Sequence, residues 1–200
     1  MVYQQKREKT EQAIKETLVQ LLKQQSIHTI NVTDIANTAG VNRVTIYRHF
    51  ADKWEILESI EGDVLASLVQ PHQRLQLSLQ ETFVTGEDKT SIIEALTEFL
   101  RVFHQQLDRL QVLTSYQANL GFSNKLLKFM IELETRSHPY IHQRLSSQTR
   151  ELFSYSIMSM LLGIIEYWTE HPTMTAEELA NFIFNVRFGA SQQLNQQQAE

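Results

Sequence analysis

Apolar residues recur at intervals of three and four positions along almost the whole chain, which is the spacing of one face of an α-helix. Only three prolines and six glycines interrupt this pattern. No segment shows the strict alternation that is typical of a half-buried strand, so the pattern predicts an all-α fold. The predicted helices cover residues 6–24, 31–40, 43–50, 53–69, 91–106, 107–116, 123–135, 148–170 and 175–190.

Residues 31–53 have the boundary signals of two short helices that are joined by a tight turn. Asn31 and Asp34 are suited to the start of the first helix, and Gly40 can end it in the left-handed conformation. Asn42 can cap the second helix. The segment is therefore predicted to be a helix-turn-helix whose second helix exposes Arg43, Thr45, Arg48 and His49.

The later helices also have boundary signals. Pro71 is predicted to end the fourth helix, residues 86–88 to form a loop, and residues 138–145 to form a break with a short turn. Thr175 and Glu178 have the spacing of a capping box, which predicts the start of the last helix.

The last two predicted helices are apolar on more than one side, so each must be covered on more than one side. They form either the centre of a single core or the interface of a homodimer, and we expect the homodimer. The residues expected at this interface are Tyr155, Met158, Leu162, Ile165, Phe184 and Phe188.

The pattern divides the chain into three parts. Residues 1–52 are predicted to form a three-helix domain with the helix-turn-helix, and residues 53–190 a helical bundle with the two-helix dimerisation face. Residues 191–200 are rich in glutamine and are predicted to be a disordered tail.

Charge is distributed unevenly along the chain. The net charge is −5 overall, +3 over residues 1–53 and −8 over residues 54–200. A basic end on an acidic body fits local contact with phosphates better than general binding to polyanions.

The absence of cysteine excludes disulfides, thiolate metal sites and cysteine nucleophiles. The first residues lack the apolar core of a signal peptide, and residues 155–168 are too short to span a bilayer, so we expect a cytoplasmic protein without membrane association.

The segment TDIANTAGVNRVTIYRHFADKWEIL, with one helix before it and an all-α body after it, resembles the TetR/AcrR family of transcriptional regulators. The resemblance covers residues 6–60. Beyond them, the helix order and the segment GIIEYWTEHPTMTAEELA are similar to DhaS-like members of the family. The resemblance implies a homodimer that binds a palindromic operator in double-stranded DNA, usually as a repressor, with an effector cavity within residues 53–190.

The DNA contacts that the resemblance implies fall on residues of suitable chemistry. Thr33 can hold a phosphate, and Arg43 can bind a guanine through two hydrogen bonds. Val44 stands where the family often has glycine, alanine or serine, and its side chain can contact a thymine methyl group. The full set of expected DNA-binding residues is Thr33, Asn42, Arg43, Val44, Thr45, Tyr47, Arg48, His49 and Lys53.

A ligand pocket in the body is a further expectation. Aromatic residues at helical spacing belong to a core more often than to a ligand site, so the assignment of individual residues is a hypothesis. The residues that could line such a pocket are His104, Tyr116, Phe122 and Trp168.

Other chemistry is not indicated. Glu134, His138 and His142 have the spacing of metal ligands on one helix, but Pro139 interrupts that helix, so no metal site is predicted. The chain has no nucleophile elbow, phosphate loop or paired-acid motif, so neither an enzyme nor a cofactor is expected.

Two alternatives stay open. The body could bind a protein partner rather than a small ligand, as the similarity to DhaS-like members implies, and the protein could then activate transcription. The chain could also be an all-α enzyme or scaffold whose helix-turn-helix does not bind DNA. The sequence does not identify the effector, the operator or the regulated genes.

Overall fold

The described residues of this computed structural model are 2–85, 89–118, 121–135, 146–171 and 173–197. Every regular element within these ranges is an α-helix, which confirms the predicted class. None of these helices is long and apolar enough to cross a membrane. The helices are α1 (Val2–Leu22), α2 (Val32–Ala39), α3 (Arg43–His49), α4 (Lys53–Thr85), α5 (Thr90–Gln105), α6 (Leu107–Thr114), α7 (Gly121–Thr135), α8 (Ser147–Glu170) and α9 (Ala176–Gln197).

The chain divides into two compact units. The head unit consists of Met1–Leu65 and Gln106–Asn124, and the body unit consists of Ala66–Gln105 and Lys125–Glu200. The head unit therefore contains α6, although the sequence pattern predicts residues 107–116 to be part of the C-terminal bundle.

Polar contacts explain why α6 belongs to the head unit. The N–H of Ile27 donates to the carbonyl of Gln117 at 2.7 Å. The ammonium group of Lys23 pairs with the carboxylate of Asp108 at 3.0 Å, and Arg109 pairs with Glu16. These partners lie far apart in the sequence, so a local pattern does not predict them.

The core of the head unit comes from the apolar faces of its short helices. α1 packs against α2 and α6, and α2 packs against α3. Burial of these aliphatic side chains is the main favourable contribution to the free energy of folding. The fully buried residues include Ile14, Leu18, Leu22, Ile27, Ile30, Ile35, Ile46 and Phe122.

The predicted end of the fourth helix near residue 69 is wrong. α4 continues through Pro71 to Thr85. Proline removes one backbone donor from a helix and crowds the preceding turn, but it does not prevent the next residues from being helical. Here Pro71 itself is buried, and Leu68, Leu75 and Leu79 are buried on both sides of it. Burial of this continuous apolar stripe outweighs the helix-breaking tendency of Pro71. The predicted loop at residues 86–88 and the predicted break at residues 138–145 lie outside the described residues.

The predicted disordered tail also needs correction. α9 extends to Gln197, so the helix includes most of residues 191–200. This stretch contains neither glycine nor proline, and glutamine, leucine and alanine have favourable helix propensity. The predicted start of the helix is confirmed, because the carboxylate of Glu178 accepts from the N–H of Thr175 at 2.8 Å, and the hydroxyl of Thr175 accepts from the N–H of Glu178 at 3.2 Å.

Gly40 and Gly62 provide a matched test of the turn. Gly40 has φ 65°, and a Cβ added there or at Gly62 would meet no atom within 4 Å. Backbone strain alone should therefore make Gly40→Ala less stable by about 1 kcal/mol. Gly62 lies inside α4 and is exposed, so Gly62→Ala should raise the free energy of unfolding by about 0.5–1 kcal/mol. Urea denaturation of both variants checks the signs, and shifts in the same direction would contradict this account of the turn.

Candidate nucleic-acid interface

Local hydrogen bonds define the two helices of the helix-turn-helix. The carboxylate of Asp34 accepts from the N–H of Asn31 at 2.8 Å at the start of α2. At its end, the N–H of Gly40 donates to the carbonyl of Asn37 at 3.3 Å, and the N–H of Val41 donates to that of Ala36 at 3.0 Å. These bonds satisfy backbone groups that a helix end would otherwise leave unpaired.

The start of α3 is also fixed. The side-chain oxygen of Asn42 accepts from the N–H of Val44 at 2.9 Å, which confirms the predicted cap. Ile46 and Phe50 are buried below the helix. Asn42 uses one lone pair of its oxygen for the cap, and its side-chain NH2 group stays available to the DNA contact that the sequence predicts.

The outer face of α3 is open to solvent. Val44 and Tyr47 are each 57% exposed, and Arg43 and Arg48 are exposed beside them. Arg43 Nη1 lies 3.5 Å from the hydroxyl oxygen of Thr33, so α2 and α3 bring these two predicted residues together. Within the described residues, neither Arg43 nor Arg48 forms an ion pair, and their charges are available to an anionic partner. Thr45 is half-buried.

His49 is less accessible than the exposed residues Arg43, Val44, Tyr47 and Arg48. Its side chain is 10% exposed, and Nδ1 lies 2.9 Å from Glu11 Oε1 on α1. A carboxylate only accepts hydrogen bonds, so Nδ1 carries the proton. The bond from His49 holds the pKa of the Glu11 carboxyl below its usual value, and a bond from Arg7 acts in the same direction, while partial burial opposes both.

Glu11→Gln should reveal this interaction as a dependence of stability on pH. The lowered pKa means that the interaction contributes stability above the ordinary value of 4.5 and loses it as the pH falls through the folded-state pKa. Because Glu11 is partly exposed and solvent screens the interaction, the variant should lose only about 0.5 kcal/mol at pH 7 and less than that at pH 3. Urea denaturation at the two pH values measures this difference. Glu8→Gln, at an exposed position of the same helix, is the control and should match the wild type. A Glu11→Gln deficit as large at pH 3 as at pH 7 would contradict the assignment.

Lys53 has a structural role that the sequence does not predict. Its ammonium group donates to the carbonyls of Ile30 at 2.7 Å and His28 at 3.2 Å, and it lies 5.6 Å from the ring centroid of Trp54. Two of its three N–H donors thus hold the turn between α1 and α2, and one remains for a phosphate. Sequence reasoning misses this role because backbone carbonyls have no residue-specific signature.

Side-chain hydrogen bonds fix the start of α4. Asp52 Oδ1 accepts from the N–H groups of Trp54 at 2.8 Å and Glu55 at 2.9 Å. The carboxylate of Glu55 accepts in return from the N–H of Ala51. These bonds fix Lys53 at the N-terminal end of the helix.

The four predicted pocket residues are divided between the two units. Tyr116 is 89% exposed on the turn after α6, and Phe122 is fully buried in the core of the head unit. His104 and Trp168 belong to the body unit, where their ring centroids are 5.0 Å apart. Helical spacing indicates that a residue can be buried but does not identify the element it faces, so a common pocket for these four residues stays a prediction.

A different cavity lies in the body unit. Its volume is about 40 Å3, and side chains of α4, α5, α7, α8 and α9 surround it. Ten of its lining residues are apolar, and the remaining three are His72, Glu134 and Arg187. The apolar ones are Leu75, Leu79, Ile92, Leu96, Phe99, Met130, Met158, Leu161, Ile183 and Phe184.

The predicted dimer residues occupy different environments. Met158 and Ile165 are already buried within one chain, whereas Leu162 and Phe184 are half-buried and Tyr155 is 44% exposed. The side chain of Phe188 lies outside the described part of the structure. The same two helices expose further large apolar side chains that the sequence analysis did not single out, namely Leu152, Tyr167 and Phe182.

Comparison with known proteins agrees with this geometry. Residues 14–60 match the family model described as bacterial regulatory proteins, tetR family. The chain is 23% identical over 171 residues to the uncharacterised HTH-type transcriptional regulator YxbF of Bacillus subtilis, across 86% of this chain and 42% of that protein. The chain thus spans less than half the length of this relative.

Solved structures show the same fold at low sequence identity. The activator of the dihydroxyacetone kinase operon, DhaS, matches with TM-score 0.63 and 17% identity over 92% of this chain and 96% of its own. NalD of Pseudomonas aeruginosa, the secondary repressor of the MexAB-OprM efflux pump, matches with TM-score 0.65 and 20% identity over the same shares. A TetR regulator from Streptococcus agalactiae matches with TM-score 0.60 and 19% identity over 94% of this chain and 98% of its own. The predicted family resemblance and fold are confirmed.

Proposed function

Because residues 14–60 are a domain of the tetR family of bacterial regulatory proteins, we propose that this protein regulates transcription by binding a specific DNA sequence as a homodimer. The observation that carries the proposal is the outer face of α3, where Arg43, Val44, Tyr47 and Arg48 are exposed on a capped helix. Such a helix has the size and chemistry to enter the major groove.

Each exposed residue has a distinct role in this proposal. Arg43 reads a guanine, because its guanidinium can donate to O6 and N7 together. Val44 contacts a thymine methyl group. Thr33 and Tyr47 bind phosphates and set the register of the helix, as does the remaining N–H donor of Lys53. The Asn42 amide, Thr45 and Arg48 lie close enough along α3 to contact either bases or backbone.

His49 contributes under one condition. Its Nδ1 proton is engaged by Glu11, so only Nε2 can face a phosphate. Donation from Nε2 requires the doubly protonated ring, because the neutral ring has a single N–H. The proposed phosphate contact of His49 therefore forms in the imidazolium state.

The proposed dimer interface is the exposed apolar surface of α8 and α9. Leu152, Tyr155, Tyr167 and Phe182 supply most of it, with half-buried Leu162 on α8, while Met158, Ile165 and Phe184 support the helices from inside the chain. Exposed apolar groups of this size mark interaction surfaces in soluble proteins. A twofold axis through this surface would give the complex two heads and a palindromic operator.

Charge placed in this surface should separate the subunits. Phe182→Glu and Tyr155→Glu should each shift the protein from dimer to monomer in sedimentation equilibrium, because an unpaired carboxylate would be buried in an apolar contact. Leu77→Glu alters an exposed apolar residue on α4, outside the two helices of the proposed surface, and should leave the dimer intact. Dissociation by Leu77→Glu alone would indicate that a different surface forms the dimer.

Regulation would follow from an effector in the body unit. An effector changes DNA affinity only when it binds one spacing of the two heads better than the other. Repression through promoter occlusion, relieved by a small ligand, is the form we propose first. DhaS, whose fold the chain shares, is named as an activator, and this likeness favours the second candidate, in which the body binds a protein partner. In either form the protein acts by binding rather than by catalysis, and it works in the cytoplasm, where chromosomal DNA is accessible.

Retention of genomic fragments tests the proposal. The full-length protein is mixed with sheared bacterial DNA at low salt, where phosphate contacts are strongest, and the bound fragments are challenged with increasing salt. We expect a small set of fragments to remain bound when the bulk is released. Uniform release of all fragments, or no binding at low salt, would reject sequence-specific DNA binding.

A further inference from the structure

The cavity of the body unit contains a buried ion pair in an otherwise apolar environment. Arg187 on α9 pairs with Glu134 on α7, and their side chains are 8% and 3% exposed. Burying two charges has a large desolvation cost, and apolar residues of similar volume often serve stability equally well. The pair is therefore better explained by a binding role than by a purely structural one.

The guanidinium of Arg187 is only partly used by this pair. Its Nη2 donates to Glu134, whereas its buried Nε finds no acceptor among the residues that the structure describes. A buried donor of this kind favours an oxygen acceptor strongly, because leaving it unpaired is unfavourable. Nε can donate to one carboxylate or carbonyl oxygen of a ligand, while the adjacent Nη2 stays paired with Glu134.

The apolar walls of the cavity indicate the chemistry of the part of a ligand that does not contact Arg187. The cavity of about 40 Å3 has room for about two water molecules, so a larger molecule must displace side chains. Met130 and Met158 line the cavity, and methionine repacks easily because it is unbranched and flexible. Such walls suit a slender, flexible aliphatic chain better than a rigid ring system.

We infer that this cavity binds a straight-chain aliphatic molecule that ends in an oxygen acceptor, with the acceptor on Arg187 and the chain between Met130 and Met158. The inference rests on the proposed effector-dependent function and names the ligand class of that effector. The acceptor can be a carboxylate or a neutral carbonyl. A carboxylate competes with Glu134 for Arg187, whereas a ketone adds no charge to the neutral pair.

Calorimetric titration of the full-length protein without DNA tests the inference. The probes are octanoate, 2-octanone and octylammonium, which share the chain length and differ in the terminal group. We expect octanoate, 2-octanone or both to bind, and the stronger of the two identifies the acceptor. Octylammonium has no acceptor for Arg187 and should bind at least tenfold more weakly. Equal binding of all three probes, or binding of none, would overturn the inference.

Substitutions of the ion pair give the second test. The double variant Glu134→Leu/Arg187→Met removes both charges together, which avoids an uncompensated buried charge, and it should keep the helical circular dichroism spectrum. Arg187→Lys keeps the charge but removes Nε. Each variant should bind the acceptor probe at least tenfold more weakly. Arg74→Gln/Glu98→Gln removes an exposed ion pair of the same unit and should bind as the wild type does. Unchanged affinity in both cavity variants would overturn the inference.

The effect of the bound probe on DNA separates this inference from the proposed function. Calorimetric binding through Arg187 without any change in DNA affinity would support the ligand site and reject its role as the effector site. A probe that releases DNA from the wild type but not from the double variant would support both.

Discussion

Arg43→Ala is expected to abolish the preference for one base pair in each half of the operator. A bidentate contact between arginine and guanine provides about 1–3 kcal/mol of discrimination, so binding to the natural site should weaken by about 10- to 100-fold for each half-site. Sites that already lack this guanine should lose little. Arg43 is suited to the role because it is exposed in the first turn of α3 and touches only Thr33 among the contacts described. Fluorescence anisotropy with an operator and its single-base variants measures the change.

Lys53→Ala is the comparison for this result. Lys53 contacts no base in the proposed complex, so the variant should weaken binding to all sequences and reduce the salt dependence. Because Lys53 also donates to the carbonyls of His28 and Ile30, the unfolding curve of the Lys53→Ala variant must be measured together with its DNA binding. An equal, sequence-independent loss from Arg43→Ala and Lys53→Ala would reject Arg43 as a base-reading residue.

Phe122→Ala is expected to produce the largest loss of stability among the changes considered for the head unit. Phe122 is fully buried, and removal of a buried phenylalanine costs about 3–5 kcal/mol through lost burial and the cavity left behind. Tyr116→Ala should change stability by no more than about 0.5 kcal/mol, because Tyr116 is exposed on a turn. Urea denaturation of the full-length chain measures both.

The comparison of Phe122 with Tyr116 is informative because the sequence pattern assigns both residues the same role. If both lined a ligand pocket, their replacement would have similar, modest effects on stability and a common effect on ligand binding. Equal losses of stability would therefore contradict the environments in the structure. The calorimetric titration of the aliphatic probes should be unaffected by Tyr116→Ala.

The sequence predicts the recognition segment well because its signals are local. Asp34 and Asn42 cap helices through groups within three residues, and Gly40 ends α2 through its own backbone conformation. The outward position of Val44 and Arg48 follows from the burial of Ile46 on the other side of α3. None of these features depends on a distant part of the chain.

Features that depend on distant partners escape prediction. The pairing of Arg187 with Glu134 and that of His49 with Glu11 join helices far apart in the sequence. The continuation of α4 past Pro71 depends on the apolar stripe on both sides of it and not on the proline. The lining of the cavity in the body unit escapes prediction for the same reason, because it comes from five helices and no two of its polar residues are neighbours in the sequence.

The central claim is that two copies of α3 read two halves of one DNA site. Selection of bound DNA from a random library with the full-length wild-type protein tests it most directly. We predict an inverted repeat whose half-sites are separated by about one helical turn or a multiple of it, with a guanine in each half that the Arg43→Ala protein no longer selects. Enrichment of a single unpaired half-site, or no enrichment at low salt, would contradict the claim.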